Sequence, residues 1–233
     1  GNTRFLSIQF RPQYQYLDQN KEAEERIYEG ETPGVSYGDI AERYYTVGQY
    51  MKEVKDVSKA MAAAGDSYIC DEYLNAMGSP EAESVYVLHD LNNDGIEEFF
   101  IGLKFNYDIP YYVIYDVYTW KDGRAYQLMR GIGYRNGSCK ICENGVIEDN
   151  YSGSAWDGQT LYHILPEGGI ELETIDSVSS RRDGTVQSYY HWNELIDENS
   201  LQTILEQYQP ESVTYVDCNR ETIEQLRLSG IRK

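Results

Sequence analysis

Apolar side chains recur every three to four residues over two segments in the first third of the chain, which predicts two helices. The first would begin at Asp39, with Glu42 completing a capping box, and would end at Gly65. The second would begin at Asp66 and end at Gly78. Both stripes are expected to face a core, and they comprise Ile40, Tyr44, Val47, Met51, Val54 and Met61, then Ile69, Tyr73, Leu74 and Met77.

From Ser84 onward the pattern alternates with a period of two, which is typical of strands. Residue pairs that favour positive φ separate many of these segments, as in tight hairpins. They are Asp122-Gly123, Asn136-Gly137, Asn144-Gly145, Gly168-Gly169 and Asp183-Gly184. The predicted strands are 84–90, 97–104, 110–120, 124–130, 138–142, 145–149, 159–165, 170–176 and 185–192, which together favour an antiparallel meander.

Helical spacing returns near the end of the chain. A helix is predicted from Asp197 to Tyr208, followed by Pro210, a strand at 212–217 and a last helix from Asn219. Helices, then strands, then helices favour an α+β fold, with N-terminal helices packed on an antiparallel meander. We predict an extended arm and loop at 1–36 and then one α+β domain at 37–233. The arm would hold a short strand within 5–17 and a loop over 18–36. The domain would consist of helices at 39–78, a β-meander at 84–192 and a helical part at 197–230.

Composition narrows the possible partners. The 233 residues carry a formal net charge of −19, which repels phosphate backbones and argues against nucleic acid. Hydrophobic residues make up 41% of the chain, enough for a packed core. No apolar run is long enough to span a membrane. The chain starts at Gly1, which suggests removal of a tag or trimming of an export segment.

The four cysteines do not form a recognisable redox or zinc motif. Cys139 and Cys142 have C-x-x-C spacing, but their segment is predicted to be a strand. Residues three apart in a strand lie about 10 Å from each other and point to opposite faces. The two would then pair with Cys70 and Cys218 or stay reduced, and the sequence does not choose between these possibilities.

The segment from Asp90 to Glu98 is the clearest chemical signal. Asp90, Asn92 and Asp94 lie at i, i+2 and i+4 and are followed by Gly95, as in one half of a Ca²⁺-binding loop. Short oxygen-bearing side chains at alternate positions of a tight loop can turn inward together. Glycine at the bend would bring the Ile96 carbonyl toward the ion, and Glu98 would close the loop. We therefore predict a Ca²⁺ site with the ligands Asp90, Asn92, Asp94, Ile96 and Glu98.

The surroundings of this loop predict a strand–loop–strand site rather than a helix–loop–helix site. The twelfth loop position, which should be a bidentate Glu in the helical type, is Ile101. Residues on both sides of the loop alternate as in strands. Two alternatives remain open here: a solvated acidic turn that binds no ion, and a Mg²⁺ or Mn²⁺ site.

Residues 86–102, YVLHDLNNDGIEEFFIG, resemble the D-x-D-x-D-G-x-x-E segment of FG-GAP/VCBS-like calcium loops. The chain is also similar to exported lipoproteins of Gram-positive gut bacteria, in which a helical region precedes such a loop and a Tyr-rich meander follows it. The resemblance is specific over about 20 residues. It implies Ca²⁺ ligation by the five residues named above, export and an upstream lipid anchor, but it brings no activity.

These features favour a secreted or cell-surface calcium-binding protein, a binding or adhesion module rather than an enzyme. A carbohydrate-binding module is an alternative, because Tyr and Trp could present stacking faces. These aromatics are Tyr111, Tyr112, Tyr189, Tyr190, Trp120, Trp156 and Trp192. A hydrolase that uses paired carboxylates is the other alternative. His89, His163 and His191 lack partners at ligand spacing and are interpreted as ordinary strand residues.

Overall fold

The computed structural model describes residues 27–31, 36–64, 69–133, 139–152, 156–165, 170–179, 186–192 and 194–229. The strand predicted within 5–17 and the turns at 136–137, 168–169 and 183–184 lie outside these residues. Helices in the described part are α1 (Tyr37–Val54), α2 (Val57–Ala64), α3 (Asp71–Met77), α4 (Glu198–Leu205) and α5 (Arg220–Ser229). None of them is long and apolar enough to cross a membrane.

The strands form two antiparallel sheets, which confirms the α+β class and the meander. The first sheet has the order β1-β5-β4-β3-β2-β12 and the second the order β11-β10-β9-β8-β7-β6. Their bounds are β1 (Ile27–Glu31), β2 (Ala82–His89), β3 (Glu98–Phe105), β4 (Tyr111–Lys121), β5 (Arg124–Arg130), β6 (Cys139–Cys142), β7 (Val146–Ser152), β8 (Trp156–Ile164), β9 (Ile170–Ser179), β10 (Val186–His191), β11 (Glu194–Ile196) and β12 (Val216–Asp217).

The first sheet is buried on both faces. Helices α1, α3 and α5 cover one face, through apolar residues such as Tyr44, Leu74 and Ile223. The second sheet packs on the other face, where Phe100 and Val117 share a core with Tyr162. Strand β3 accordingly has almost no exposed residue. Helix α4 packs on the far side of the second sheet, so the molecule is built in layers.

The predicted first helix differs from the structure at both ends. Ser36, not Asp39, is its N-cap: its backbone is extended, and its Oγ accepts a hydrogen bond from the Asp39 amide at 3.1 Å. The helix ends at Lys55, whose amide still bonds the Met51 carbonyl and whose left-handed φ of 51° turns the chain out of the helix. Asp56 then accepts from the Lys59 amide at the start of α2. One predicted helix is therefore two.

Other boundaries shift for similar local reasons. Helix α3 starts after Cys70, whose Sγ accepts from the Tyr73 amide, and the predicted start at Asp66 lies outside the described residues. Gly78 ends α3 as predicted. Strand β1 falls within the predicted loop 18–36, because it pairs with β5, a contact distant in sequence. Strand β11 was not predicted, whereas the nine strands predicted between 84 and 192 are all present, with bounds shifted by up to three residues.

The cysteines form no disulfide, and all four are buried. Cys139 lies in the core between the sheets and Cys142 in the core under α4, so the prediction that they point to opposite faces is confirmed. Burial also raises the pKa of the Cys142 and Cys218 thiols to about 12, which keeps both protonated at neutral pH.

Candidate metal site

The loop from Asp90 to Glu98 connects two paired strands, as the sequence predicted. Strands β2 and β3 run antiparallel from the pair His89 and Glu98 to the pair Ala82 and Phe105. Gly95 has a φ of +88°, which a residue with a side chain rarely adopts. The glycine at the bend therefore has the backbone role expected of it.

Three short polar side chains of the loop, those of Asp90, Asn92 and Asp94, turn inward onto its own backbone. Asp90 Oδ1 accepts from the Asp94 amide at 3.1 Å, and Asp90 Oδ2 accepts from the Gly95 amide at 3.0 Å. Asp94 Oδ1 accepts from the Ile96 amide at 2.8 Å. Asn92 Oδ1 accepts from the Asp94 amide, while Asn92 Nδ2 donates to Asp94 Oδ2 at 3.1 Å. The spacing of two residues thus brings these side chains to the same side of the bend.

Glu98 occupies a different environment, because it is only 1% exposed. Its Oε2 accepts from the Leu91 amide at 3.0 Å and its Oε1 from the Thr119 hydroxyl at 3.1 Å. Burial raises the pKa of Glu98 to about 7, and the nearby carboxylates of Asp94 and Asp90 raise it further, against the two hydrogen bonds. An ionised Glu98 is therefore held at a cost in free energy.

The loop is tied into the core on both sides. Leu91 is buried among apolar residues of both sheets, and Asn92 Nδ2 also donates to the Leu165 carbonyl at 3.1 Å, just beyond β8. A Cβ added to Gly145, in the β6–β7 turn, would lie 3.5 Å from the Leu91 carbonyl oxygen. On the helix side, the Tyr37 hydroxyl donates to the Glu97 carbonyl at 2.8 Å. The loop therefore lies where helix α1 and both sheets meet.

These hydrogen bonds hold the side chains of four of the five predicted ligands in position: Asp90, Asn92 and Asp94 at the bend, and Glu98 at the start of β3. Ile96 lies between them, with its amide bonded to Asp94. Within the described part of the chain, no three His, Cys, Asp or Glu side chains are grouped so that they could hold a metal ion. The donor set is made only of oxygens, which suits Ca²⁺, but ligation requires the carboxylates to turn away from the loop amides.

A second acidic centre lies on the outer face of the second sheet and was not predicted. Glu173, on β9, has His163 Nε2 at 2.9 Å from its Oε2 and His191 Nε2 at 2.7 Å from its Oε1. Tyr208, beyond α4, donates to the same Oε2 at 2.7 Å. Burial acts to raise the pKa of Glu173, but the bonds from His163, Tyr208 and His191 outweigh it and lower the pKa to about 2.

His163 and His191 are strand residues, as interpreted from the sequence, but the carboxylate partner that they share was not predicted. They lie on β8 and β10, the two neighbours of β9, and the strand register brings both to Glu173. Alternation alone puts a residue on a face, but it does not say which residue of the next strand stands beside it. His89 also has a partner, because its Nε2 lies 3.0 Å from Glu211 Oε2.

A third acidic centre, also not predicted, is Asp116, which is fully buried between the helices and the first sheet. The Tyr44 hydroxyl donates to its Oδ2 at 2.6 Å and the Gly131 amide to its Oδ1 at 3.0 Å. Burial raises the pKa of Asp116 to about 7 despite these bonds. The sequence signal for it was available: a lone Asp within the apolar run 113–118.

A β-bulge explains how Asp116 enters this layer. Ile101 of β3 pairs with Asp116, but the next residue, Gly102, pairs with Ile114, so Tyr115 is the extra residue of β4. Tyr115 and Tyr118 belong to the helix-side core, and Asp116 bonds Tyr44 of α1 on the same side. Strict alternation would have placed Tyr115 and Asp116 on opposite faces.

The aromatic residues considered for sugar binding are in different environments. Tyr111 is 47% exposed and Trp192 is 51% exposed. Tyr112 stacks on Tyr215 with ring centroids 4.0 Å apart, and Trp120 packs against the helix-side core. Tyr189 and Tyr190 are half-buried, and the side chain of Trp156 lies outside the described ones.

Comparisons with protein-family models, with curated proteins and with solved structures found no match to this chain. Its function therefore has to be argued from the fold and from the acidic loop, the polar centres and the exposed aromatic side chains described above.

Proposed function

We propose that the protein is a calcium-stabilised binding or adhesion module that works outside the cell, either secreted or anchored to the cell surface. The observation that carries this proposal is the position of Glu98. It is a buried carboxylate close to Asp90 and Asp94, and among the described residues its hydrogen bonds come from the neutral groups of Leu91 and Thr119. A bound cation would supply the positive charge that such an arrangement lacks.

The donor set supports Ca²⁺ over other metals. Ca²⁺ prefers six to eight oxygen ligands at about 2.3–2.6 Å and tolerates irregular geometry, whereas Mg²⁺ demands an octahedron and retains water. Asp90, Asn92, Asp94 and Glu98 offer side-chain oxygens, and the Ile96 carbonyl would add one from the backbone. Cys and His, whose thiolate and imidazole groups favour zinc and other transition metals, are not part of the loop.

The location of the loop supports a structural role for the ion. Leu91 and Asn92 connect the loop to the second sheet, and Tyr37 connects it to α1. Fixing the loop would therefore stabilise the junction of three layers. Extracellular Ca²⁺ is millimolar, which is about 100 times the dissociation constant of a site that binds at about 10 µM. Binding to such a site would add about 2.7 kcal/mol to the free energy of unfolding.

Thermal unfolding with 1 mM CaCl₂ and with EDTA tests the proposal. We expect Ca²⁺ to raise the Tm by about 5–10 °C for a domain of this size, with Mg²⁺ giving a much smaller rise. Asp94→Asn should remove at least half of the rise, because it deletes one ligand charge. Asp122→Asn is the matched control, since Asp122 is an exposed acid in the β4–β5 turn and should leave the rise intact.

Calorimetric titration of the EDTA-treated protein with CaCl₂ measures binding independently of stability. One site with a dissociation constant below about 100 µM, weakened at least tenfold by Asp94→Asn, would support the proposal. A Tm that is the same in CaCl₂ and EDTA, together with a titration that shows no binding, would overturn it. Equal weakening by Asp122→Asn would also overturn it, because the effect would then come from overall charge.

A further inference from the structure

The hairpin between β3 and β4 carries three aromatic rings that lie nearly parallel to one another. Ring centroids are 4.8 Å apart for Phe105 and Tyr111, 5.8 Å for Tyr107 and Tyr111, and 6.3 Å for Phe105 and Tyr107. The interplanar angles are 13°, 12° and 3° in the same order. We call Phe105, Tyr107 and Tyr111 the ring triad.

The ring triad combines a buried base with exposed rings. Phe105 is 7% exposed and belongs to the helix-side core, whereas Tyr107 is 51% and Tyr111 is 47% exposed. Phe105 and Tyr111 are directly opposite in the β3–β4 register, so the sheet fixes their spacing. Core packing therefore holds one ring, and that ring orients two others that reach solvent.

The backbone of the hairpin is also held in place. The Asn106 amide donates to the Glu81 carbonyl at 3.0 Å, and the Tyr107 amide donates to the Phe105 carbonyl at 3.1 Å. Pro110 restricts the chain just before β4 begins. A surface that is ordered before binding loses little conformational entropy when a ligand arrives.

We propose that the ring triad binds a neutral carbohydrate. The face of an aromatic ring is electron-rich and attracts the weakly positive C–H groups that line one face of a pyranose ring. Asn106 and Asp108 are exposed in the same hairpin and offer an amide and a carboxylate to sugar hydroxyls. The net charge of −19 opposes polyanions and anionic membrane surfaces but does not oppose an uncharged glycan.

This inference deepens the proposed binding function by naming the class of ligand, and it is spatially separate from the calcium loop. The ring triad lies at the end of β3, whereas Glu98 lies at its start. A strand of that length places the two about 25 Å apart. Glycan binding should therefore persist in EDTA at temperatures where the protein remains folded, so that failure of one proposal is distinguishable from failure of the other.

Affinity electrophoresis and calorimetry against neutral polysaccharides test the inference, with soluble β-glucan, xylan, mannan, galactan and starch as probes. We expect binding to at least one of them. Tyr107→Ala and Tyr111→Ala should each weaken that binding by about five- to tenfold, as the loss of one stacking contact predicts. Tyr107→Phe should retain the affinity, because it keeps the ring. Trp192→Ala is the matched control: it removes an equally exposed aromatic ring that lies just beyond β10, far along the chain from the ring triad, and should change nothing.

Four results would overturn the inference. One is no binding to any of the five polysaccharides by folded wild-type protein. A second is binding that Trp192→Ala weakens as much as Tyr107→Ala. A third is tight association with neutral phosphatidylcholine vesicles that Ile109→Ser abolishes, since Ile109 is 83% exposed at the tip of the hairpin. The fourth is a dimer in sedimentation velocity that Tyr107→Ala dissociates, because the ring triad would then bind a second copy.

Discussion

The loop from Asp90 to Glu98 and the second sheet place the same kind of side chain in opposite surroundings. Glu98 and Glu173 are both nearly buried carboxylates on strands, 1% and 8% exposed. The pKa of Glu98 is raised to about 7, whereas the pKa of Glu173 is lowered to about 2. Burial acts in the same direction on both, so the difference comes from their partners.

Those partners show what each region requires. Glu173 is bonded by His163, His191 and Tyr208, and the protein itself supplies the donors that an ionised carboxylate needs. Glu98 has Asp94 and Asp90 nearby, which oppose its ionisation. The first arrangement is complete as it stands, whereas the second would be completed by the cation that we propose. This contrast, more than the number of acids in the loop, is why we assign calcium there.

Substitution of Asp116 separates the effect of burial from that of neighbouring acids, because the pKa of Asp116 is raised mainly by burial. Of the substitutions predicted here, it should change the free energy of unfolding most. The pKa of Asp116 in the folded protein is about 7, against 3.8 when unperturbed. Between these values the unfolded chain releases the proton that the folded protein keeps, so stability falls as pH rises. Asp116→Asn mimics the protonated acid and should remove that loss, gaining about 4 kcal/mol over wild type at pH 7.5 and almost nothing at pH 4.

Urea unfolding of Asp116→Asn at half-unit steps from pH 4 to pH 8 measures this difference. Asp122→Asn makes the same chemical change at an exposed position next to the same strand and should follow wild type. If the free energies of unfolding of wild type and Asp116→Asn changed with pH in the same way, Asp116 would be ionised in the folded state at no cost. The effect of burial could then not be separated from the effect of neighbouring acids.

Glu98→Gln should have an intermediate effect on the free energy of unfolding, and it tests whether the ionised Glu98 is unfavourable without a cation. In EDTA at pH 8 the substitution removes a buried charge beside Asp90 and Asp94, while the amide can still accept from Leu91 and donate to Thr119. We expect a gain of about 1–2 kcal/mol in the free energy of unfolding, and no further gain when Ca²⁺ is added. Urea unfolding with and without Ca²⁺ measures both.

Glu97→Gln is the control for Glu98→Gln, because Glu97 is exposed and adjacent in the chain. It should change stability in EDTA by less than about 0.5 kcal/mol and leave the response to Ca²⁺ in place. If Glu98→Gln instead destabilised the EDTA-treated protein, the carboxylate would be favourable without a cation, and the two acidic centres would not differ in kind.

The strand–loop–strand hairpin that holds Asp90 to Glu98 could be predicted from sequence because its signal is local. The residues from Asp90 to Glu98 lie within nine positions, and the strands on either side show their own alternation. The β3–β4 and β4–β5 hairpins and the end of α3 were likewise predicted from neighbouring residues. In each case the side chain that decides the geometry is close in sequence to the backbone that it shapes.

The other two acidic centres depend on contacts distant in sequence. Glu173 meets His163 and His191 only through the register of three strands, and Asp116 enters the helix-side core only because a bulge shifts β4. The break at Lys55 shows the same limit on a smaller scale. Lysine is a good helix former, so neither composition nor periodicity indicates a left-handed residue there, and only the cap formed by Asp56 gives a hint.

Glu173→Gln should change the free energy of unfolding least, and it tests whether His163, His191 and Tyr208 stabilise the ionised Glu173. The lowered pKa means that the ionised Glu173 stabilises the fold above pH 4.5, and that this contribution is lost as pH falls toward 2. Since part of the cluster is reached by solvent, we expect a loss of about 1–2 kcal/mol at pH 6.5, reduced to about half near pH 3, between the two pKa values. Glu171→Gln, an exposed acid opposite His163 in the same strand pair, is the control and should have almost no effect at either pH. Urea unfolding at pH 6.5 and pH 3 measures both variants, and equal behaviour of the two would show that His163, His191 and Tyr208 add nothing to Glu173 beyond what water provides.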